Sequence, residues 1–346
     1  MCMRKNLILL SLFLLTGCSE FATIGVKKHQ FNAVPRKIVW IQLAGFSIEH
    51  LAMLRFSRVS SKKLSSFEKM TCMGSMWNYD LYNLRPDDES NFLSQITGKQ
   101  NIKKTCEDYK LTPLWRRLSN LGYKVGILEN NVKEENSLTD SLKCEETNFL
   151  NGSFYWKMSK AEKGSDQFHY LKKKEYEVNK VYYDLSCQNR GCETSLSNNF
   201  KSLYTQFSDR EPSLLFLLRD FSYKESLKEG NFKEAIEILN EVSTIIDYLE
   251  KKETNENLLI VLSSAEPFSF EYPKSGKDWE SFERSGKKVI YRQSLLSSPV
   301  LATGAGAENF CGIYEQWEIH PRFLWRPKKI IVPLLDIFEE KTEIKR

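Results

Sequence analysis

Three short apolar runs restrict this chain more than any other feature: Lys37-Ile-Val-Trp-Ile-Gln-Leu43, Ser213-Leu-Leu-Phe-Leu-Leu218 and Leu258-Leu-Ile-Val-Leu262. None alternates polar with apolar residues. A run this short and this uniformly apolar suits a strand buried on both faces, which occurs where helices cover a mostly parallel sheet. The covering helices are readable between the runs. Ser47 is placed to cap a helix that follows Ala44-Gly45. Thr112-Pro113 opens a helix over 114–121, Gly122 ends it, and Lys124–Leu128 follows as a strand. Phe232–Lys252 carries Ala235, Ile238, Leu239, Val242, Ile245, Ile246 and Leu249 at helical spacing. Pro299–Ala302 reads as one more short strand. The expected fold class is α/β, a three-layer αβα sandwich with a mostly parallel central sheet. Residues 131–212 depart from the pattern, being charged, rich in Asn, Ser and Lys, and dotted with aromatic clusters such as Phe154-Tyr155-Trp156. They are expected to leave the sheet as an irregular, partly helical insertion.

The N-terminus reads as an export signal. Arg4 and Lys5 precede the apolar run Leu7–Leu15, and Leu15-Thr16-Gly17-Cys18 closes it with small residues. The run is about half the roughly 20 residues that a membrane-spanning helix needs. Leu-x-Gly-Cys resembles the bacterial lipobox, in which the cysteine thiol receives a diacylglycerol and becomes the new N-terminus. The resemblance implies lipidation at Cys18, a signal peptide over 1–17, a lipidated tether over 18–35 and a single domain over 36–340. Ser19 after the cysteine implies, by the sorting rule of that class, an outer-membrane, periplasm-facing envelope location.

Residues 1–17 hold two of the 50 basic residues and none of the 45 acidic ones, so the remaining chain carries a net charge of +3. That balance does not predict nucleic-acid binding. The Lys172-Lys173-Lys174 run either meets anionic lipid or is a solvated face. Six cysteines follow Cys18, an even number consistent with disulfides in an exported protein. Cys187 and Cys192 are the local pair, because Asn189 and Gly191 permit a tight loop. Zinc on these cysteines would call for CxxC-type spacing or nearby histidines, and the sequence has neither.

The order of several motifs resembles the alkaline-phosphatase superfamily, which includes sulfatases and nucleotide pyrophosphatases. Lys37–Gly45 is similar to that family's first strand and Asp-Gly. Ser94-Gln-Ile-Thr-Gly-Lys99 is similar to the Thr-Gly after its nucleophile helix. Leu114–Ile127 is similar to its helix, Gly-Tyr and strand. Residues 232–264 are similar to the helix and strand leading into Ser-Asp-His-Gly, and Pro299–Ala307 to the strand and glycine turn beyond. The resemblance implies an alkaline-phosphatase-like fold and metal-dependent transfer of a phosphoryl or sulfuryl group, in which carboxylates and histidines hold the metal.

Position by position, the chemistry is largely missing. Ala44 stands where the first metal-ligand aspartate belongs, and Ala265-Glu266 where the Asp-His pair belongs. Asp88 falls at the nucleophile position, with Ser90 two residues away. Asp220 fits a ligand position, but Lys224 replaces the histidine that follows it. Glu266 and His320 are out-of-register stand-ins. The catalytic candidates are thus Asp88 and Ser90, and the metal candidates Asp220, Glu266 and His320. The chain has four histidines in all, His29, His50, His169 and His320, too few for a histidine-rich site. Asp87-Asp88-Glu89 either holds a hard cation or complements a helix dipole. Gly304-Ala-Gly306 either approaches phosphate or makes a turn. The expectation is a non-catalytic envelope protein that binds a protein, glycan or phosphorylated ligand, without nucleic acid. The alternative is a divergent hydrolase or transferase acting on phospho- or sulfo-esters, with a divalent metal as its cofactor.

Overall fold

The computed structural model describes residues 34–325 except 58–64, 80–86, 134–135, 162–163, 189–190, 255, 271–275, 286–290 and 293–295. The signal, most of the tether and the domain's last stretch after Trp325 lie outside the described residues.

Fourteen strands are described: β1 (Lys37–Ala44), β2 (Cys72–Trp77), β3 (Lys124–Asn130), β4 (Ser153–Met158), β5 (Gln167–Phe168), β6 (Val181–Asp184), β7 (Cys187–Gln188), β8 (Gly191–Cys192), β9 (Leu214–Asp220), β10 (Leu258–Ala265), β11 (Ser269–Phe270), β12 (Tyr291–Arg292), β13 (Ser297–Gly304) and β14 (Gly312–Glu315). Ten of them form one sheet in the order β14-β2-β13-β10-β1-β9-β3-β4-β6-β5. Only β13 runs against the others. The helices are α1 (Leu51–Ser57), α2 (Asp88–Thr97), α3 (Cys106–Tyr109), α4 (Leu114–Ser119), α5 (Leu196–Ser208), α6 (Ser222–Lys228), α7 (Phe232–Lys252), α8 (Gly276–Ser285) and α9 (Ile319–Arg322).

The layering follows from strand geometry. Successive side chains of a strand point to opposite faces, and every residue of β1 is buried. Val39, Ile41 and Leu43 therefore join one apolar layer with α1, α5 and α7, where Leu239, Val242, Ile245, Ile246 and Leu249 meet them. Ile38 and Trp40 join the opposite layer with Leu93 and Ile96 of α2 and Leu114, Trp115 and Leu118 of α4. The three apolar runs form adjacent parallel strands, β10-β1-β9. The expected α/β sandwich is the observed fold.

Residues 131–212 correct the expectation of an excursion. They supply β4, β6 and β5, which continue the sheet beyond β3. Aromatic packing holds them there. Trp156 of β4 stacks on Phe216 of β9 at 5.9 Å, and Phe207 of α5 meets Trp156 edge-on at 5.1 Å. Gly126 of β3 lies between the two stacked rings: a Cβ there would meet Trp156 at 3.0 Å and Phe216 at 3.1 Å. Tyr155 and Trp156 of this aromatic cluster are core. Gly304, a candidate phosphate cradle, serves backbone packing instead. With φ +94°, a Cβ there would fall 2.0 Å from the Leu258 carbonyl, which accepts from Ala305 N–H at 2.8 Å.

Three disulfides are formed: Cys187–Cys192 as expected, closing the β7–β8 hairpin, together with Cys72–Cys311 and Cys106–Cys144. Cys72–Cys311 joins β2 to the residue before β14 across a separation of 239 residues. Replacing both cysteines by alanine is expected to destabilise the protein by about 2–5 kcal/mol, read as a lower urea midpoint under oxidising conditions.

Candidate functional site

In open α/β sheets, ligands bind beyond the carboxyl ends of the parallel strands, and most of the sequence-derived candidates lie there. Ala44 ends β1, Ala265 ends β10 in register with it, and Asp220 ends β9 beside Leu43. The chain turns at Gly45, whose φ of +79° favours glycine. Its N–H donates to Ala265 O at 2.9 Å, and its carbonyl accepts from Phe268 N–H at 3.1 Å. The ends of β1 and β10 are thereby stitched together. Ala44 and Ala265 pack with Phe92, Val132 and Phe221 in a small buried apolar cluster. Two methyl groups and two aromatic rings fill space at the strand ends.

Beside this plug lies Lys224, from α6. Its ammonium donates to Asp88 Oδ2 at 2.7 Å and to Glu266 Oε2. Side-chain exposure is 6% for Lys224, 5% for Asp88 and 14% for Glu266, so the trio is shielded from water. Burial opposes the charge on Lys224, yet Asp88 and Glu266 outweigh it and hold its pKa above the ordinary lysine value. The lysine stem crosses Gly45 so closely that a Cβ there would come within 3.1 Å of Lys224 Cβ.

A second cation lies on the same side. Arg219 precedes Asp220 on β9 and is fully buried with Glu89 and Glu129, both of which accept from its guanidinium. Its Nε donates to Gln42 Oε1 at 3.1 Å. The register explains the meeting: Gln42, Arg219 and Glu129 are neighbours in one row across β1, β9 and β3. Glu129 also accepts from Ser137 Oγ at 2.6 Å and from Leu138 N–H at 3.0 Å. Burial pushes the Glu89 carboxyl up to about 8, with Arg219 pulling it down and Glu129 adding to the rise. Its Oε1 has no hydrogen-bond partner among the described residues.

The other candidates resolve as follows. Asp220 is fully buried, and protein donors occupy its oxygens: Asn130 Nδ2 at 2.6 Å, Ser222 Oγ at 2.7 Å and Tyr223 N–H at 3.0 Å. Burial raises its pKa against the pull of these donors. It holds the β9–α6 turn. Ser90 is buried in the first turn of α2, where Asp87 caps its N–H at 2.8 Å. The acidic helix start thus divides its work: Asp87 caps, while Asp88 and Glu89 pair with buried cations. His320 packs against Gly98 at the other end of α2, about 15 Å of helix from Asp88. Burial, then Arg117, lowers its pKa to about 4. His50, which carries no expected role, is a fully buried neutral histidine. Its Nε2–H donates to Phe268 O at 2.6 Å, and Nδ1 accepts from Tyr223 Oη at 2.8 Å. Burial lowers its pKa to about 3. Among the described residues, Asp184, Cys187 and Cys192 are the one group with metal-ligand proximity, and both sulfurs are bound to each other.

Sequence reasoning identified Asp88 and Glu266 and noted Lys224 only as a substitution. It missed Arg219, Glu129 and Gln42, and named Glu89 only within the acidic start Asp87-Asp88-Glu89. The available signal was a charged residue closing an apolar run, as in Leu214–Leu218 followed by Arg219-Asp220.

The sheet order, the two helical layers and the polar strand ends define an alkaline-phosphatase-like fold. Among solved structures, the chain is similar to the alkaline phosphatase of the Antarctic bacterium TAB5, with a TM-score of 0.60 and 14% identity over 84% of this chain and 97% of that one. It is similar to the cold-active alkaline phosphatase of the psychrophile Shewanella sp., with a TM-score of 0.59 and 12% identity over 84% and 100% of the two chains. The alkaline phosphatase of Thermus thermophilus matches with a TM-score of 0.58 and 10% identity over 88% and 94%. By sequence, the chain matches no protein-family model and no curated protein.

The residues present do not fit a catalytic divalent metal of the resembled type. Two would-be ligand positions are methyl groups inside an apolar plug, Asp220 is saturated by protein donors, and a lysine ammonium lies between the two remaining carboxylates. Removing that ammonium strands two shielded carboxylates. Lys224→Met is therefore expected to destabilise by about 3–5 kcal/mol, read by chemical denaturation. Glu89 gives a pH signature. Between its ordinary value of 4.5 and about 8, the folded chain keeps a proton that the unfolded chain has released, so stability falls as pH rises through that window. Glu89→Gln is expected to flatten that slope in urea midpoints measured from pH 5 to 8.

Proposed function

We propose that this chain is a lipid-anchored envelope protein whose alkaline-phosphatase-like domain is non-catalytic and serves to bind a protein, glycan or phosphorylated envelope ligand. The observation that carries the reading is Lys224. Its ammonium bridges Asp88 and Glu266 at the sheet end, so the chain supplies its own cation there. An ammonium donates hydrogen bonds but offers no open coordination position to polarise an ester or activate water. The anchor rests on Leu15-Thr16-Gly17-Cys18, and the outer-membrane location on Ser19. No described helix is long and apolar enough to cross a membrane.

A variant of the TAB5 enzyme has magnesium bound, so metal content is the direct test. Protein exposed to zinc, magnesium, calcium and manganese and then dialysed is expected to retain no stoichiometric metal by mass spectrometry. Hydrolysis of phosphate and sulfate esters is expected to stay at the blank rate, unchanged by Asp88→Ala. A stoichiometric metal lost in Asp220→Ala, with a metal-dependent rate, would instead establish a divergent hydrolase. A mature N-terminus without acyl mass on Cys18 would remove the anchor from the proposal.

A further inference from the structure

A cavity with a basic rim lies away from the sheet end and accounts for part of the lysine run that the candidate site leaves unused. Its volume is about 550 Å³, and its lining includes Tyr170, Lys173, Asn198, Lys201, Asp209 and Arg210. One wall is α5, where Asn198, Lys201 and Asp209 follow the helix at spacings that share a face. The other is the segment from Tyr170 to Lys173, pinned to α5 at both ends. Ser202 Oγ donates to Tyr170 O at 2.7 Å, and Gln206 Nε2 donates to Lys174 O. The walls are thus fixed by the chain itself.

The charge is one-sided. Asp209 is paired with Lys252 at 2.7 Å, which neutralises the one acid in the lining. Lys173, Lys201 and Arg210 form no ion pair among the described residues; Lys201 lies over the Tyr248 ring, at 5.9 Å, and feels the Glu241 carboxylate without pairing with it. Three cations lining one cavity favour an anion, and guanidinium and ammonium groups both suit phosphate oxygens. Tyr170 and the exposed Leu171 give the same cavity an apolar side. The cavity lies within the range that holds a small organic ligand, so it has room for more than a bare phosphate.

Its place in the fold adds a constraint. Lys37, the first residue of β1, donates to Ser208 O at 2.7 Å, so the Arg210 end lies at the edge where the chain enters the sheet. The Lys224 site is at the opposite edge, about 26 Å away along an eight-residue strand. We propose that this cavity binds a phosphate group carried on glycerol or a sugar, either as an anionic lipid headgroup or as a free phosphorylated ligand. The proposal names a ligand class for the binding function above, but it stands on different residues.

The test is calorimetric titration of the full chain in non-ionic detergent with inorganic phosphate, glycerol phosphate, dihexanoyl phosphatidylglycerol and dihexanoyl phosphatidylcholine. Saturable binding of glycerol phosphate or phosphatidylglycerol is expected, weakening with salt and by about tenfold or more in Lys201→Gln/Arg210→Gln. Tighter binding of phosphatidylglycerol than of glycerol phosphate identifies a headgroup; equal binding identifies the free phosphate. The variant's thermal midpoint and circular dichroism should match the parent, since neither side chain forms an ion pair. No saturable binding of any phosphate probe, or equal binding by the variant, overturns the proposal. Binding lost in Asp88→Ala but kept in the cavity variant also overturns it and moves the anion to the sheet end.

Discussion

Everything at the carboxyl end of the sheet depends on how buried negative charge is neutralised. Asp88, Glu89, Glu129 and Glu266 converge there. Carboxylates taken from water without partners cost several kcal/mol each. The chain answers with two cations, each held between two acids: Lys224 between Asp88 and Glu266, Arg219 between Glu89 and Glu129. Gly45 gives the lysine stem room to pass, and the Phe92–Phe221 plug closes the space beside it. Asp220, with its oxygens occupied by protein donors, sets the turn that delivers α6 and hence Lys224.

The same arrangement underlies the proposed separation of fold from chemistry. In the resembled family, the positive charge is a metal ion that exchanges ligands and activates an oxygen. In this chain the cations at the strand ends are two side chains, Lys224 and Arg219, each bound to two acids. The sheet does not need the metal, because its stability comes from the apolar layers on both faces of β1, β9 and β10. A fold does not by itself assign a function, which has to be argued from particular groups. The proposed phosphate cavity of Lys173, Lys201 and Arg210 is argued from such groups.

Much of the scaffold was legible because it is written in local patterns. Val39, Ile41 and Leu43 lie among Ile38 and Trp40 in an unbroken apolar run, and only a doubly covered strand satisfies that. The spacing from Ala235 to Leu249 fixes a helix, and Cys187 to Cys192 is short enough to close by itself. Local patterns failed over 131–212. Phe154-Tyr155-Trp156 sits in a charged, Asn/Ser/Lys-rich context that hides a strand, and the strand is placed only by the Trp156–Phe216 stack that Gly126 of another strand admits.

The sequence by itself determined the order of strands and helices and the apolar residues Ala44 and Ala265 at the ends of two runs, because both are properties of single positions or short windows. Only the tertiary structure decided which charges meet beside them. Lys224 meets Asp88 across 136 residues and Glu266 across 42, and Arg219 meets Glu89 across 130 and Glu129 across 90. No periodicity encodes such meetings. They follow from the sheet order, which brings the ends of β1, β3, β9 and β10 together with the start of α2, and from the energetic demand that charges buried in one place be paired.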